Sequence, residues 1–261
     1  MEEEQYLNIK KMNPFLLNNK IILITGAGGG IGRATAIACA QMGASVIITD
    51  INESSLAETF DLLVKDEKKN HQQLVANLCS QESLDEMIAA IPNIDGLVCC
   101  AGISKILPIQ FLNGEDFSKI MDINAFAPIN LTQKLYKKKK INKGGSIVFV
   151  ESISGVKMVS MGGVMYAVSK NALDAFMRNA ALEFAARNIR SNSVNPSRVN
   201  TNLIKNSSYS EEDVEKDMKT YPLKRYAEPE EIANCIVFLL SDASSYVTGH
   251  ALIVDGGKTL T

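Results

Sequence analysis

The sequence predicts an α/β fold, a doubly wound three-layer sandwich with a seven-stranded parallel sheet in a single domain. Two observations carry this. Short β-branched apolar runs alternate along the chain with longer stretches of helical period. Those runs are apolar continuously rather than at every second position, as in strands covered on both faces. Length and composition agree, because 261 residues with 46% hydrophobic and 21% charged positions suit one globular unit of this class.

Taken in order, residues 1–11 are acidic and lack an apolar run. Ile21-Ile22-Leu23-Ile24-Thr25 is the first strand, the stretch 31–42 is a helix stopped by Gly43, and 45–49 is the second strand, completing a βαβ unit. Further strands are expected at 73–76, 96–100, 146–150, 191–194 and 251–254. Helices are expected at about 53–69, 81–91, 115–136, 165–187 and 229–240. The segment 200–221 is polar, has little core pattern and reads as a helical flap. The run Lys137 to Lys140 reads as a solvated face at a helix end, where cations suit the helix dipole.

Charge and composition narrow the function classes. With 27 basic against 29 acidic residues the formal charge is −2, which offers no field for gripping a nucleic-acid backbone. Five cysteines without a C-x-x-C pair and two distant histidines, His71 and His250, argue against a structural zinc site and a histidine-based triad. No run of 18 or more apolar residues occurs, so no membrane partner is expected and the cytoplasm, with thiols reduced, is the expected location.

Between the first strand and its helix lies Thr25-Gly26-Ala27-Gly28-Gly29-Gly30-Ile31-Gly32. Glycines here permit a tight turn and let backbone N–H groups at a helix N-terminus approach a pyrophosphate. Asp50 closes the next strand, where a carboxylate can accept hydrogen bonds from ribose hydroxyls and would repel a 2′-phosphate. It could also cap the helix beginning at Glu53. NAD is therefore expected over NADP, with Arg33 after the last glycine keeping NADP open. Downstream, Ser152 precedes Tyr166 and Lys170, which stand four residues apart and so share one helix face. An ammonium beside a phenol favours phenolate and would lower a pKa that starts near about 10, suiting the phenol to proton transfer.

These motifs, with Ala101-Gly102, Asn124, Asn195-Pro196, Thr201 and Val254-Asp255-Gly256-Gly257, resemble the short-chain dehydrogenase/reductase family over nearly the whole length. The resemblance implies a Rossmann-type fold and hydride exchange between a nicotinamide cofactor and a secondary alcohol or ketone. Met12-Asn13-Pro14-Phe15 resembles the opening of many such chains, which implies a domain spanning 12–261 preceded by an extension, 1–11, that is dispensable for catalysis. It implies Tyr166 as general acid/base, Ser152 holding the substrate oxygen, Lys170 tuning Tyr166 and binding ribose, and Asn124 holding a water in a proton relay. Cofactor contacts are implied for Gly26, Gly28, Gly30, Ile31 and Gly32 in the loop, and for Asp50 and Ile51 after the second strand. Further contacts are implied for Asn77, Leu78, Ala101 and Gly102 along the sheet edge, and for Tyr166, Lys170, Val199 and Thr201 near the nicotinamide. No metal is expected.

The chain departs from the family where Cys99-Cys100 replaces a polar pair and where Ser197 replaces a glycine. The vicinal cysteines read as small buried hydrophobes. Substrate walls are expected from Ile106, Met158, Val159 and Met161, and Arg198 is a candidate carboxylate clamp. The resemblance also implies a homo-oligomer, tetramer or dimer, with the apolar side of Ala172, Ala175, Phe176, Ala180 and Phe184 serving either core or interface. Two other readings stand beside the first. One is a 3-oxoacyl-carrier-protein reductase using NADPH, against which Leu182 and Asp50 argue. The other is a non-catalytic dinucleotide-sensing protein, against which the intact set of Asn124, Ser152, Tyr166 and Lys170 argues.

Overall fold

The computed structural model describes residues 13–64, 69–201 and 210–261. The extension 1–11 and residues 202–209 of the flap lie outside them. Seven strands form one sheet: β1 (Ile21–Thr25), β2 (Ser45–Asp50), β3 (Gln72–Val75), β4 (Ile94–Cys99), β5 (Ile141–Val150), β6 (Arg190–Pro196) and β7 (Ala251–Val254). Every pairing is parallel and the order is β3-β2-β1-β4-β5-β6-β7. The order reverses between β1 and β4, so the crevice beyond their carboxyl ends is where such sheets take ligands.

The continuous apolar runs follow from burial on both faces. Along β1, Ile22 and Ile24 enter one core while Leu23 enters the other, and β2 divides Val46 and Ile48 from Ile47 in the same way. The first core is closed by α1 (Gly30–Gln41) and α8 (Pro229–Leu240), through Ala36, Cys39, Ile232 and Ile236. The second is closed by α3 (Gln81–Ala90), α5 (Ala127–Lys137) and α6 (Val164–Phe184), through Leu84, Ile88, Leu131, Leu135, Leu173 and Met177. Each fully buried aliphatic contributes about 1.5–3 kcal/mol relative to exposure, so both faces of the sheet are fixed strongly.

Several boundaries differ from the sequence reading. The helix expected over 53–69 is α2 (Glu53–Asp61), which stops at Leu62. The long helix expected over 115–136 is interrupted: α4 (Gly114–Met121) passes into a π-helical segment, Asp122–Phe126, before α5 begins. Such a wide turn leaves residue spacing nearly unchanged in the sequence, so apolar periodicity does not reveal it. β5 begins at Ile141 rather than Ser146, because its register on β4 shifts between Ile94 and Gly96. In the flap, α7 (Glu211–Lys219) starts with a capping box of Ser210 and Asp213. Tyr221, just beyond it, is buried, which the polar pattern around it concealed. Of the apolar side of α6, Ala180 and Phe184 belong to the core, Phe184 stacking on Tyr136 with ring centroids 3.8 Å apart. Among the described residues no helix is long and apolar enough to cross a membrane.

Candidate active site

The glycine loop is held where β1 meets β4. The Thr25 hydroxyl accepts hydrogen bonds from the Cys100 and Ala101 N–H groups at 3.2 and 3.4 Å, tying the two strand ends together. Two glycines are sterically required. Gly26 has φ +65° and a Cβ there would lie 2.6 Å from the Ala101 nitrogen; a Cβ on Gly32 would lie 2.1 Å from the Gly26 carbonyl oxygen. Gly29 is the N-cap of α1 and no side chain caps the helix, so its first-turn N–H groups suit an incoming anion.

In front of this loop is a cleft of about 910 Å³ lined by Gly26, Gly30, Ile31, Gly32, Asp50, Ile51, Asn77, Leu78, Ala101, Gly102 and Thr201. Gly28 does not line it. Its N–H instead donates to Asp50 Oδ2 at 2.9 Å, while Asp50 Oδ1 accepts from the Asn52 N–H at 3.0 Å. The cap of α2 is Asn52, whose Oδ1 accepts from the Ser55 N–H at 3.0 Å, so Asp50 does not serve as the helix cap. Arg33 turns toward α2, donating to Thr59 Oγ1, Glu58 Oε2 and the Gly28 and Ser55 carbonyls. Asn77 Oδ1 accepts from the Cys79 N–H at 3.0 Å and so braces its own turn. Uncapped amides at one place and a carboxylate at the next strand end are a donor and acceptor set that fits a dinucleotide.

A second cavity of about 470 Å³ adjoins the first through Ile31, Cys100, Gly102 and Thr201, and its lining includes Ser152, Tyr166, Lys170 and Val199. Sheet and helix place these groups together, since Ser152 follows the end of β5 while Tyr166 and Lys170 lie one turn apart on α6. Ser152 Oγ accepts from the Ser154 N–H at 3.0 Å, which fixes the hydroxyl oxygen. Lys170 is buried; its Nζ donates to the Val150 carbonyl at 2.8 Å and lies 5.6 Å from the centroid of the Tyr166 ring.

The expectation that Lys170 draws the phenol toward neutral pH is not met in the protein alone. Burial pushes the Tyr166 phenol up to about 12, against which a hydrogen bond with Ser152 works in the opposite direction. Burial also lowers the Lys170 ammonium from its ordinary value, with Glu151 countering. The cause is desolvation: the buried ammonium is turned to a backbone carbonyl, and the partly exposed phenol is set into the wall of the cavity.

Asn124 lies in the π-helical segment and is fully buried. Its Oδ1 accepts from the Ile103 N–H at 2.8 Å, and its Nδ2 donates to the Ile103 carbonyl at 2.9 Å and to Ser169 Oγ at 3.0 Å. The side chain thus clamps the loop after β4 to α6, behind Gly102, whose added Cβ would meet both Asn124 Oδ1 and Lys170 Nζ. Cys99 is buried and Cys100 half-buried, and burial raises both thiols, that of Cys100 to about 12. Neither is a ready nucleophile.

The outer wall carries Ile106, Met158 and Val159, whereas Met161 stands outside it. Arg198 reaches the cavity but its Nε pairs with Asp217 Oδ2 at 3.2 Å, and Asp217 also accepts from the Tyr226 hydroxyl at 2.8 Å. As a carboxylate clamp Arg198 is therefore already answered by a carboxylate of α7. Sequence reasoning passed over Glu151, a buried acid between Ser152 and the apolar run of β5. The signal was there, because a charged residue directly following Ile147-Val148-Phe149-Val150 has no exposed face to occupy.

A family described as enoyl-(acyl carrier protein) reductase matches residues 26–259. A 3-oxoacyl-(acyl-carrier-protein) reductase of Rickettsia felis is 35% identical over 244 residues, covering 94% of this chain and 98% of that protein. A short-chain type dehydrogenase/reductase from Mycobacterium ulcerans superposes with a TM-score of 0.85 at 30% identity, covering 94% of this chain and 91% of that one. A structure from Beutenbergia cavernae, described as an NAD(P)-dependent gluconate 5-dehydrogenase with NADP bound at low occupancy, gives a TM-score of 0.85 at 29% identity, covering 95% of this chain and all of that one.

Proposed function

Because the chain belongs to the short-chain dehydrogenase/reductase family, and is thus an NAD(P)-binding oxidoreductase of the CH–OH group, we propose that it interconverts a secondary alcohol and a ketone with NAD(H), using Tyr166 as general acid/base. The observation that carries this is the lining of one cavity by Ser152, Tyr166 and Lys170, continuous with the cleft of the glycine loop. The cofactor, when bound, supplies the acceptor or donor of the hydride.

The chain's own groups handle the proton and the orientation. Ser152 has its oxygen held by the Ser154 N–H and hydrogen-bonds Tyr166, so a substrate oxygen seated between the two can take over the Ser152 O–H. In reduction Tyr166 is protonated across the physiological range and gives its proton to the developing alkoxide. In oxidation the same oxygen must first be phenolate, and a charged Lys170 beneath the ring favours that form. Asn124, by fixing Ile103 and Ser169, holds the floor on which Lys170 rests. Thr201 borders both cavities and Val199 borders the inner one, where backbone groups can meet a carboxamide.

Preference for NAD rests on Asp50, which lines the cleft at the end of β2, and on Arg33, whose donors are taken up by α2 and the Gly28 carbonyl. A second reading, reduction of a 3-oxoacyl thioester with NADPH, draws on the relatives of that name. Against it stands Asp50 in the cofactor cleft; of the run Lys137 to Lys140, which would offer positive surface to an acidic carrier, Lys138 is paired with Asp85. Steady-state rates with NADH and NADPH on acetoacetyl thioesters and on a panel of sugars, polyols, hydroxysteroids and 3-hydroxyacids decide between the two. The proposal expects NADH-linked turnover that Tyr166→Phe lowers by about 10²–10⁴-fold with cofactor binding retained. NADPH-linked thioester reduction favours the second reading, and Tyr166-independent turnover overturns both. A homo-oligomer is part of the proposal, with Val168 and Leu182 exposed on α6, and sedimentation reads it directly.

A further inference from the structure

We propose that Glu151 is a positioning residue of this reaction centre: its buried carboxyl sets the charge that Lys170 holds beside Tyr166. The inference rests on Tyr166 and Lys170 carrying the reaction, as above, and begins with an acid that the proposed chemistry leaves without a task.

Glu151 is 1% exposed, and its Oε1 has no hydrogen-bond partner. Its Oε2 accepts a long bond, 3.4 Å, from Asn195 Nδ2. The same Nδ2 donates to the Ser152 carbonyl at 3.2 Å, and Asn195 Oδ1 accepts from Ser193 Oγ at 2.8 Å. The carboxyl is therefore linked through one amide to the backbone of the substrate-holding serine. Lys170 Nζ donates to the carbonyl of Val150, the residue immediately before Glu151. A buried carboxylate with one oxygen unpartnered is costly, and in native structures such a group calls for a reason.

The groups facing Glu151 come from two elements. From β6 come Ser193 and Asn195, which hydrogen-bond it, and from α6 come Lys170 and Asp174, which act on it through space with opposite signs. Asp174 is itself paired with Arg178, which also feels Glu151. Cys99 and Cys100 of the β4 end touch the same field through Lys170. Burial dominates and raises the Glu151 carboxyl to about 8, so the group changes charge within the working range of an enzyme.

The consequence follows from coupling. Ionised Glu151 supports the Lys170 ammonium; when Glu151 is protonated that support is lost and burial weighs further against the charge. An ammonium stabilises phenolate at Tyr166, so ionised Glu151 promotes alcohol oxidation while the neutral acid relaxes that bias. Each proton is exchanged with solvent and no bond other than O–H or N–H is made or broken.

The test uses the full chain. In pH-difference infrared spectra, wild type should show a protonated-carboxyl band that vanishes as the pH rises through about 8 and that is missing in Glu151→Gln. In Lys170→Met, which removes the ammonium, the midpoint of that band should move upward by about one unit or more, and this arm needs neither activity nor the Gln variant to fold. The pH profile of kcat for oxidation should lose one ionisation in Glu151→Gln, with about a tenfold loss on its alkaline side, and Glu151→Asp should restore that ionisation. Absence of the band, a midpoint unmoved in Lys170→Met, or a Glu151→Gln profile lowered equally at every pH overturns the inference. If Tyr166→Phe remains active while the band behaves as stated, the coupling stands and the assignment of Tyr166 falls.

Discussion

Replacing Asp50 separates bracing from recognition. Its carboxylate accepts from the Gly28 and Asn52 N–H groups at 2.9 and 3.0 Å while lining the cleft. A hydrogen bond to a charged acceptor contributes about 1.5–3 kcal/mol, and for a half-exposed group the lower end applies. Asp50→Ala loses both bonds and should therefore destabilise by about 3 kcal/mol, a fall in melting temperature of roughly 5–6 °C for a chain of this size. Asp50→Asn keeps an acceptor oxygen and should cost about half as much. Recognition behaves differently. A carboxylate some 4 Å from a 2′-phosphate is repelled by about 1–4 kcal/mol per unit charge at effective dielectric constants between those of water and a protein surface. Either substitution should thus raise the kcat/KM ratio for NADPH over NADH by about 10–100-fold. The assay is kcat/KM with each cofactor on one ketone substrate, alongside a melting curve. Should both cofactors suffer equally, or wild type already prefer NADPH, Asp50 is only a brace and the NAD assignment is refuted.

Three further outcomes are expected. Gly32→Ala places a methyl 2.1 Å from the Gly26 carbonyl oxygen, so the loop must shift; cofactor affinity measured by fluorescence titration should fall at least tenfold, and unaltered affinity would show that the loop yields freely. Because burial raises the Tyr166 phenol to about 12, oxidation should accelerate as the pH rises through the alkaline range and reduction should slow only there; Lys170→Met should move both limbs further upward, and an unmoved profile counts against their coupling. Asp217→Asn removes the negative charge facing Arg198 at 3.2 Å at the cavity wall, so KM for carboxylate-bearing substrates should drop several-fold while neutral ones change little; equal changes for both would remove Arg198 from the substrate wall.

Much of the molecule was legible in the sequence because local and global signals agree there. The run Ile21 to Thr25, the glycines that follow and the run ending at Asp50 specify strand, tight turn into α1 and second strand through short-range geometry, which needs no distant partner. The spacing of Tyr166 and Lys170 places both on one helix face for the same reason. Other features were not legible because they depend on what lies opposite. The sequence shows an ammonium four residues from a phenol, but the structure decides that the ammonium turns to the Val150 carbonyl and that desolvation outweighs attraction. It shows an arginine near the site, but only the folded flap brings Asp217 against Arg198. It shows Asn124, but the π-helical turn that buries it against Ile103 does not alter the apolar period. Glu151 is the clearest case. Sequence alone determined that an acid follows an apolar strand, whereas its charge is decided by how much water and which charges the packed sheet and helix leave around it, a sum over neighbours that the chain brings together only by folding.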